Sequence, residues 1–255
     1  MDDIYGYLRY TANLISQSHF HNKMILKGGS VLISKLIECG REDLYRLTSD
    51  LDIHCDKKEV WIEFCNDIED ILNKNDRGYV YRITKRRSEI KGLNDSDSLT
   101  FSLEDHGKIV KFQMDMNIKS NTIITVDYSP LLQMNTYDAY TMLSDKIVVV
   151  SSNKIYRRIK DLYDILVLAS IFDFKYSELV KHINIKHPNV KLENMIVPDN
   201  ISNIEHAYNV FSGIRNKPDI RYLLNYCLIF LEPIYLGYNQ GELIWNTQQV
   251  KWLKP

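Results

Sequence analysis

Two short stretches of this chain carry residue types that can work together on phosphate. Ile25-Leu26-Lys27-Gly28-Gly29-Ser30 ends an apolar run in two glycines and a serine, and Val31, Leu32, Lys35, Leu36 and Ile37 follow at helical spacing. A strand-to-helix turn of that composition leaves backbone N–H groups aimed at one spot. The helix N-terminus adds partial positive charge there, so an anion, above all a phosphate, suits it. Twenty residues on, Arg46-Leu47-Thr48-Ser49-Asp50-Leu51-Asp52-Ile53 alternates acidic and apolar positions. In an extended strand Asp50 and Asp52 share one face while Leu51 and Ile53 share the other. Paired carboxylates repel one another unless a cation lies between them, and hard oxygen donors suit Mg²⁺, or Mn²⁺ in its place. Together the turn and the aspartates describe a site for a nucleoside triphosphate with its metal.

Further candidates lie downstream. Met114-Asp115-Met116 sits in an alternating segment, where a single acidic side chain beside Asp50 and Asp52 completes a three-carboxylate set. Lys146 stands in the apolar run Leu143 to Val150 and must either snorkel to solvent or meet a partner. Asp161, in Arg157-Arg158-Ile159-Lys160-Asp161-Leu162-Tyr163-Asp164, falls at the edge of the stripe formed by Leu162, Ile165, Leu166 and Ala169. Two readings stay open for this stretch. One is a solvated i,i+4 ladder joining Arg157 to Asp161 and Lys160 to Asp164. The other has Lys146 neutralising triphosphate oxygens while Asp161 positions or deprotonates a group. Arg46, Lys85, Arg86, Arg87, Arg157 and Arg158 are the basic candidates for holding a nucleic-acid backbone. His19 and His21 read as polar turn residues, and His54 as a strand-end histidine.

The elements that must position these residues follow from periodicity. Residues 1–22 read as a helix, and Glu59–Lys74 as an amphipathic one with Trp61, Phe64, Cys65, Ile68, Ile71 and Leu72 on one face. Tyr79–Thr84, Leu99–Leu103 and Ile109–Ile118 alternate as strands, with a turn at His106-Gly107 and polar connections at Lys85–Arg87 and Gly92–Ser98. From Asn135 the period changes to that of helices. Thr136 is the expected N-cap of a helix running to Val150. Asn153 separates it from helices over Tyr156–Phe172, Tyr176–Ile185, Ile201–Phe211 and Ile220–Leu236, punctuated by Pro188, Pro198, Pro218 and Pro233. The fold class is therefore α+β. A mixed-sheet core over residues 1–134 is followed by a helical region over 135–255 that completes the active-site cleft.

Composition narrows the function classes. With 255 residues, 45% hydrophobic and 25% charged, the chain can build one large core or two modest ones. A net charge of −1 supplies no global field for nucleic acid or membrane, so such contacts must be local. Cys39, Cys55, Cys65 and Cys227 show no zinc-like spacing and read as reduced thiols. The acidic N-terminus does not resemble a signal peptide. The longest apolar stretch, Leu223 to Leu236, is interrupted by Asn225, Glu232 and Pro233 and falls short of the ~20 residues a bilayer requires. A cytoplasmic protein is expected.

Taken in order, these motifs resemble the AbiEii/AbiGii-type nucleotidyltransferase toxins, a family that includes the MenT enzymes and shares the DNA polymerase β-like nucleotidyltransferase fold. Gly28-Gly29-Ser30 matches its first motif, continued by Arg46, Thr48, Asp50 and Asp52; Asp115 matches its middle acidic strand. Lys146 matches the lysine of a Glu-Lys-Leu helix, with Asp145 in place of the glutamate, and Arg158, Lys160, Asp161 and Asp164 match the closing motif. The resemblance covers residues 24–170. It implies transfer of a nucleoside monophosphate from an NTP to an acceptor, in characterised relatives the 3′ end of tRNA, and a winged-helix antitoxin encoded nearby. It further implies that Asp50, Asp52 and Asp115 hold the metal and that Asp50, Asp52, Lys146 and Asp161 are catalytic. Gly28, Gly29, Ser30, Arg46, Thr48, Ser49, Arg158 and Asp164 would bind the nucleotide, and Thr48 is the expected site of any regulatory phosphorylation. Transfer to a protein or small molecule, and a catalytically silent NTP-binding module, remain the competing readings.

Overall fold

A computed structural model describes residues 3–87, 96–118, 125–152, 154–186, 197–238 and 241–255. The expected connection around Gly92 and the expected breaks at Asn153 and Pro188 lie outside the described residues. The chain forms two compact units. The first comprises Met1–Glu38, Leu47–Ser120 and Val126–Tyr137; the second comprises Cys39–Arg46, Asn121–Thr125 and Asp138–Pro255.

The first unit is built on a seven-stranded mixed sheet in the order β3-β4-β5-β2-β1-β7-β6. Its strands are β1 (Met24–Lys27), β2 (Asp50–Cys55), β3 (Val80–Arg86), β4 (Ser96–Asp105), β5 (Lys108–Asn117), β6 (Val126–Ser129) and β7 (Met134–Tyr137). Strand β2 pairs antiparallel with β1 and parallel with β5, which sets Leu51 opposite Met114 and Asp52 opposite Asp115. The period-2 pattern sends Leu51, Ile53, Leu99, Phe101, Leu103, Phe112, Met114 and Met116 to one buried face. Helices α1 (Asp3–Ser16) and α3 (Lys58–Asn73) pack there. Phe20 meets Phe64 edge-on, Trp61 stacks on Phe64, and the Tyr81 hydroxyl hydrogen-bonds that of Thr11 at 3.2 Å. The Asn73 side chain clamps the Tyr81 backbone through both of its polar atoms, tying the end of α3 to β3.

The second unit contains α4 (Ala139–Val150), α5 (Ile159–Ile171), α6 (Tyr176–Lys186), α7 (Pro198–Val210) and α8 (Ile220–Leu236). It also holds a hairpin of β8 (Ile244–Asn246) and β9 (Lys251–Leu253). Helix α5 is buried on nearly every side, as its all-round apolar sequence requires. The tail that sequence periodicity left without an element is this hairpin. Trp245 is fully buried and donates its indole N–H to the Ala169 carbonyl at 2.7 Å, and Trp252 donates to that of Phe230 at 2.9 Å.

Two expectations are corrected. The N-cap of α4 is Asp138, whose carboxylate accepts from the Thr141 N–H at 2.8 Å. Thr136 instead lies buried in β7, a strand that its four-residue length concealed from a periodicity argument. The i,i+4 ladder on α5, one of the two readings left open for this stretch, is also set aside. Arg157 and Arg158 belong to a preceding 3₁₀ turn over Ile155–Arg158, and the carboxylates of Asp161 and Asp164 take partners distant in sequence.

Candidate functional site

In the first unit, strand β1 ends directly in helix α2 (Gly28–Glu38) with no intervening loop. Gly28 makes the corner in the left-handed region at φ +74°, where a side chain would be strained. It is also pressed against the neighbouring strand: a Cβ added at Gly28 would lie 1.8 Å from the Asp52 carboxylate oxygen. The turn and the acidic strand are thus one construction, because β1 and β2 are paired with Lys27 opposite Asp52. Gly29 and Ser30 are buried in the first turn of α2, and the Ser30 hydroxyl, fully buried, meets no hydrogen-bond partner among the described residues. A buried hydroxyl left in that state costs free energy, about 1–3 kcal/mol.

Asp50, Asp52 and Asp115 all project from the side of the sheet opposite to Leu51, Ile53 and Met114, and each is partly exposed. Ser49 donates from its hydroxyl to the Asp50 carboxylate at 3.1 Å, and its carbonyl accepts from the Gln113 N–H at 3.2 Å, which extends the β2–β5 ladder. Thr48 is 8% exposed, so its hydroxyl is accessible to a modifying enzyme only if this segment opens. An open depression of about 190 Å³ is lined by Lys27, Asp52, Arg87, Ser96, Asp115 and Asn117 together with two neighbours. Arg87 therefore lies beside the carboxylates. Sequence reasoning missed Lys27, Ser96 and Asn117. Lys27 could have been found from the antiparallel pairing of the two acidic and glycine-bearing strands, whereas Ser96 and Asn117 carry no motif.

The donors in this set are all carboxylate oxygens on one sheet face, the chemistry a hard divalent cation takes. They are nevertheless spread. Among the described residues the trio of potential ligand atoms lying mutually within 4.8 Å is that of His19, Glu63 and Asp67, on the surface.

In the second unit a different arrangement holds the remaining candidates. Lys146 on α4 donates to Asp161 at 2.7 Å and lies 2.8 Å from the Asp164 carboxylate, both on α5. Arg46 reaches the same Asp164 with two donors, Nη2 at 2.7 Å and Nε at 2.5 Å. All four groups are largely buried, Asp164 completely. Arg46 is fixed by a bridge to Ile214, and its neighbour Tyr45 accepts from the Arg215 N–H at 3.3 Å. Burial raises the Asp164 carboxyl, but the Arg46 and Lys146 charges overcome it and hold that group down to about 2. For Lys146, burial works against the charged form, yet Asp164 and Asp161 outweigh it and hold the ammonium above its ordinary range. A lysine so held stays protonated and serves as a fixed charge, not as a base. Asp145, which precedes it, instead accepts from Lys186 at 2.7 Å.

The basic candidates separate. Lys85 and Arg87 are exposed, while Arg86 turns inward to lie 3.6 Å from the buried carboxylate of Asp97, itself an acceptor for the Trp61 indole at 2.9 Å. Arg157 and Arg158 are exposed, and the Arg157 guanidinium lies 5.9 Å from the ring of its neighbour Tyr156. Among the described residues no helix is long and apolar enough to cross a membrane.

Comparison with known proteins bears on the family and the fold. A family model described as nucleotidyl transferase AbiEii toxin, type IV TA system, matches residues 10–208. The chain also resembles the crystal structure of JHP933 from Helicobacter pylori, with a TM-score of 0.57 at 13% identity, over 91% of each chain. A second H. pylori structure, described as a candidate nucleotidyltransferase, gives a TM-score of 0.57 at 13% identity over 93% of this chain and 96% of the other. At that identity the likeness is one of fold. No functionally curated protein matches by sequence.

Proposed function

Since the chain belongs to the AbiEii family of nucleotidyl transferase toxins, we propose that it moves a nucleoside monophosphate from an NTP to the 3′ end of a tRNA in a Mg²⁺-dependent reaction. Nucleotidyl transfer and an antitoxin partner come with the family. The tRNA acceptor, the metal, a winged-helix antitoxin, a role in phage defence and a cytoplasmic setting are the parts proposed.

The observation that carries the reading is the close packing of the Gly28 backbone on the Asp52 carboxylate, beside the buried Ser30 hydroxyl, which has no hydrogen-bond partner among the described residues. Backbone N–H groups of Gly28, Gly29 and Ser30 at the start of α2 would receive phosphate oxygens, with the Ser30 hydroxyl among the donors. Asp50, Asp52 and Asp115 would hold Mg²⁺ or Mn²⁺, which supplies neutralisation of the charge that builds on attacking and leaving oxygens. The acceptor hydroxyl attacks the α-phosphorus. The bond from that phosphorus to the bridging oxygen breaks, and pyrophosphate leaves with the electron pair. The hydroxyl proton passes to a carboxylate of the same sheet face. Lys146, kept protonated by Asp161 and Asp164, would neutralise phosphate oxygens, and Arg46, Arg158, Thr48 and Ser49 would contribute to nucleotide binding. Transfer of this kind needs positioning and charge more than covalent participation by the protein, and these side chains offer both.

The test is incubation of the purified protein with each labelled NTP and total RNA, with and without EDTA. Label is expected in the tRNA fraction at its 3′ end and absent after chelation. Label on protein or on a small molecule would replace the acceptor, and transfer undiminished by EDTA would remove the metal from the proposal.

A further inference from the structure

On the sheet face that bears the carboxylates, the register of β3, β4 and β5 assembles a second feature. Asp50 lies in line with Gln113 on β5, Thr100 on β4 and Lys85 on β3. One step along the strands, Lys111 on β5 lies opposite Ser102 on β4, and Ser102 opposite Arg82 on β3. One step the other way, Asp52, Asp115 and Ser98 form a third row. The side chains between these rows, Leu99, Phe101, Phe112 and Met114, point to the buried face under α1 and α3. Arg82, Lys85, Lys111 and Gln113 are exposed, and Ser98, Thr100 and Ser102 half-exposed.

The outcome depends on one irregularity. A register shift between Ile83 and Lys85 breaks the alternation of β3, so that Lys85 falls opposite Thr100 and joins Arg82 on the open face. Without it Lys85 would point with Tyr81 and Ile83 toward the buried side. Adjacent strands lie about 4.8 Å apart, so the row from Asp50 to Lys85 spans roughly 14 Å. A hydroxyl repeats along β4 about every 6.8 Å, and two of these, Thr100 and Ser102, have a lysine or arginine beside them.

From this we infer that the outer face of β3, β4 and β5 is the track for the acceptor strand, and that its ligand is a single-stranded RNA backbone leading to the carboxylates. The inference rests on the nucleotidyl-transfer reading of the same sheet face. Lys and Arg supply the counter-charge for phosphates, and Ser, Thr and Gln the neutral hydrogen bonds that position a backbone. Positive charge lies at the β3 side and at Lys111, negative charge at Asp50, Asp52 and Asp115. A polyanion is thus drawn onto the sheet away from the acidic end, and only its terminus, with its metal, meets the carboxylates. Glu104, exposed opposite Val80 and Ile109, closes the track at the other end.

The experiment measures binding of a labelled single-stranded RNA by fluorescence anisotropy at several salt concentrations, alongside binding of a fluorescent NTP analogue. The R82E/K85E/K111E variant is expected to bind RNA at least tenfold more weakly, and its log affinity to fall less steeply with log salt by about 2 units, near 0.7 per lost contact. NTP binding should be unchanged. The milder R82Q/K85Q/K111Q variant should lie between it and the parent, and R82K/K111R should keep parental affinity, which separates loss of charge from loss of fold. Parental affinity and salt slope in the charge-reversed protein would overturn the track, as would a parent that binds NTP but no RNA. A parent that binds no NTP would strike the nucleotidyl-transfer reading itself, a result separable from either of these.

Discussion

Two collections of charge in this protein are built on opposite principles. On the first unit's sheet, Asp50, Asp52 and Asp115 are partly exposed like charges set on one face by strand register. In the second unit, Arg46, Lys146, Asp161 and Asp164 are buried and paired, two cations against two anions, with every distance at hydrogen-bond range. The first collection stands at a surface where water and neighbouring groups screen it, whereas burial makes the second safe only while it is complete. The contrast separates carboxylates placed by strand register from charges held in place by burial and ion pairing.

The largest effect should come from the carboxylates. Asp50→Ala and Asp52→Ala are each expected to lower nucleotide transfer on the order of 10³-fold, while stability changes by no more than about 1 kcal/mol; paired assays of labelled NTP incorporation and thermal unfolding read both. Substantial loss of stability in these variants would place the sheet cluster with the structural one. Next, Asp164→Ala should cost about 3–5 kcal/mol in urea denaturation, because it leaves the Arg46 and Lys146 charges buried with one carboxylate between them. A cost under about 1 kcal/mol would show that the network is solvated and dispensable. Gly28→Ala should cost about 1–3 kcal/mol through its positive φ, and should also impair transfer by displacing the Asp52 carboxylate. A variant that loses stability but keeps full activity would uncouple turn from carboxylate.

A pH series sharpens the same comparison. The Asp164 carboxyl is depressed from 3.8 to about 2, so its contribution to stability is complete above about pH 4 and is lost as pH falls toward 2. Lys146 is raised, so its contribution is complete at neutral pH and lost only in strong alkali. Denaturation midpoints between pH 2 and 5 should therefore fall less in Asp164→Asn than in the parent. The smallest effect is the gauge for an ordinary structural loss: Asp138→Ala removes the α4 cap and should cost about 1 kcal/mol.

Much of the construction was legible because its signals are local. The helix over Ile220–Leu236 is bounded where its periodicity says, and the strand bearing Asp115 alternates as its sequence does. Short strands were not legible. Met134–Tyr137 is only four residues long, too few for a period, and its membership of the sheet comes from pairing with Leu26 and with Val126–Ser129. Arg86 illustrates a subtler limit. Strict alternation places it with Arg82, but the register shift after Ile83 turns it to the Asp97 side.

What the sequence determined by itself is the set of chemical groups and the faces of the elements that bear them, since both follow from residue type and a fixed backbone period. The Gly-Gly-Ser turn, the two aspartates on one strand face and the buried helix after Asp161 all belong to this set. The tertiary structure alone decided who meets whom. It chose Lys146 and Arg46 over the neighbours on α5 as partners of Asp161 and Asp164, and it seated the Asp52 carboxylate on the Gly28 backbone. The reason is energetic. A surface i,i+4 pair is worth a few tenths of a kcal/mol, whereas a buried carboxylate without a cation costs several, so the packing of the core dictates the pairing.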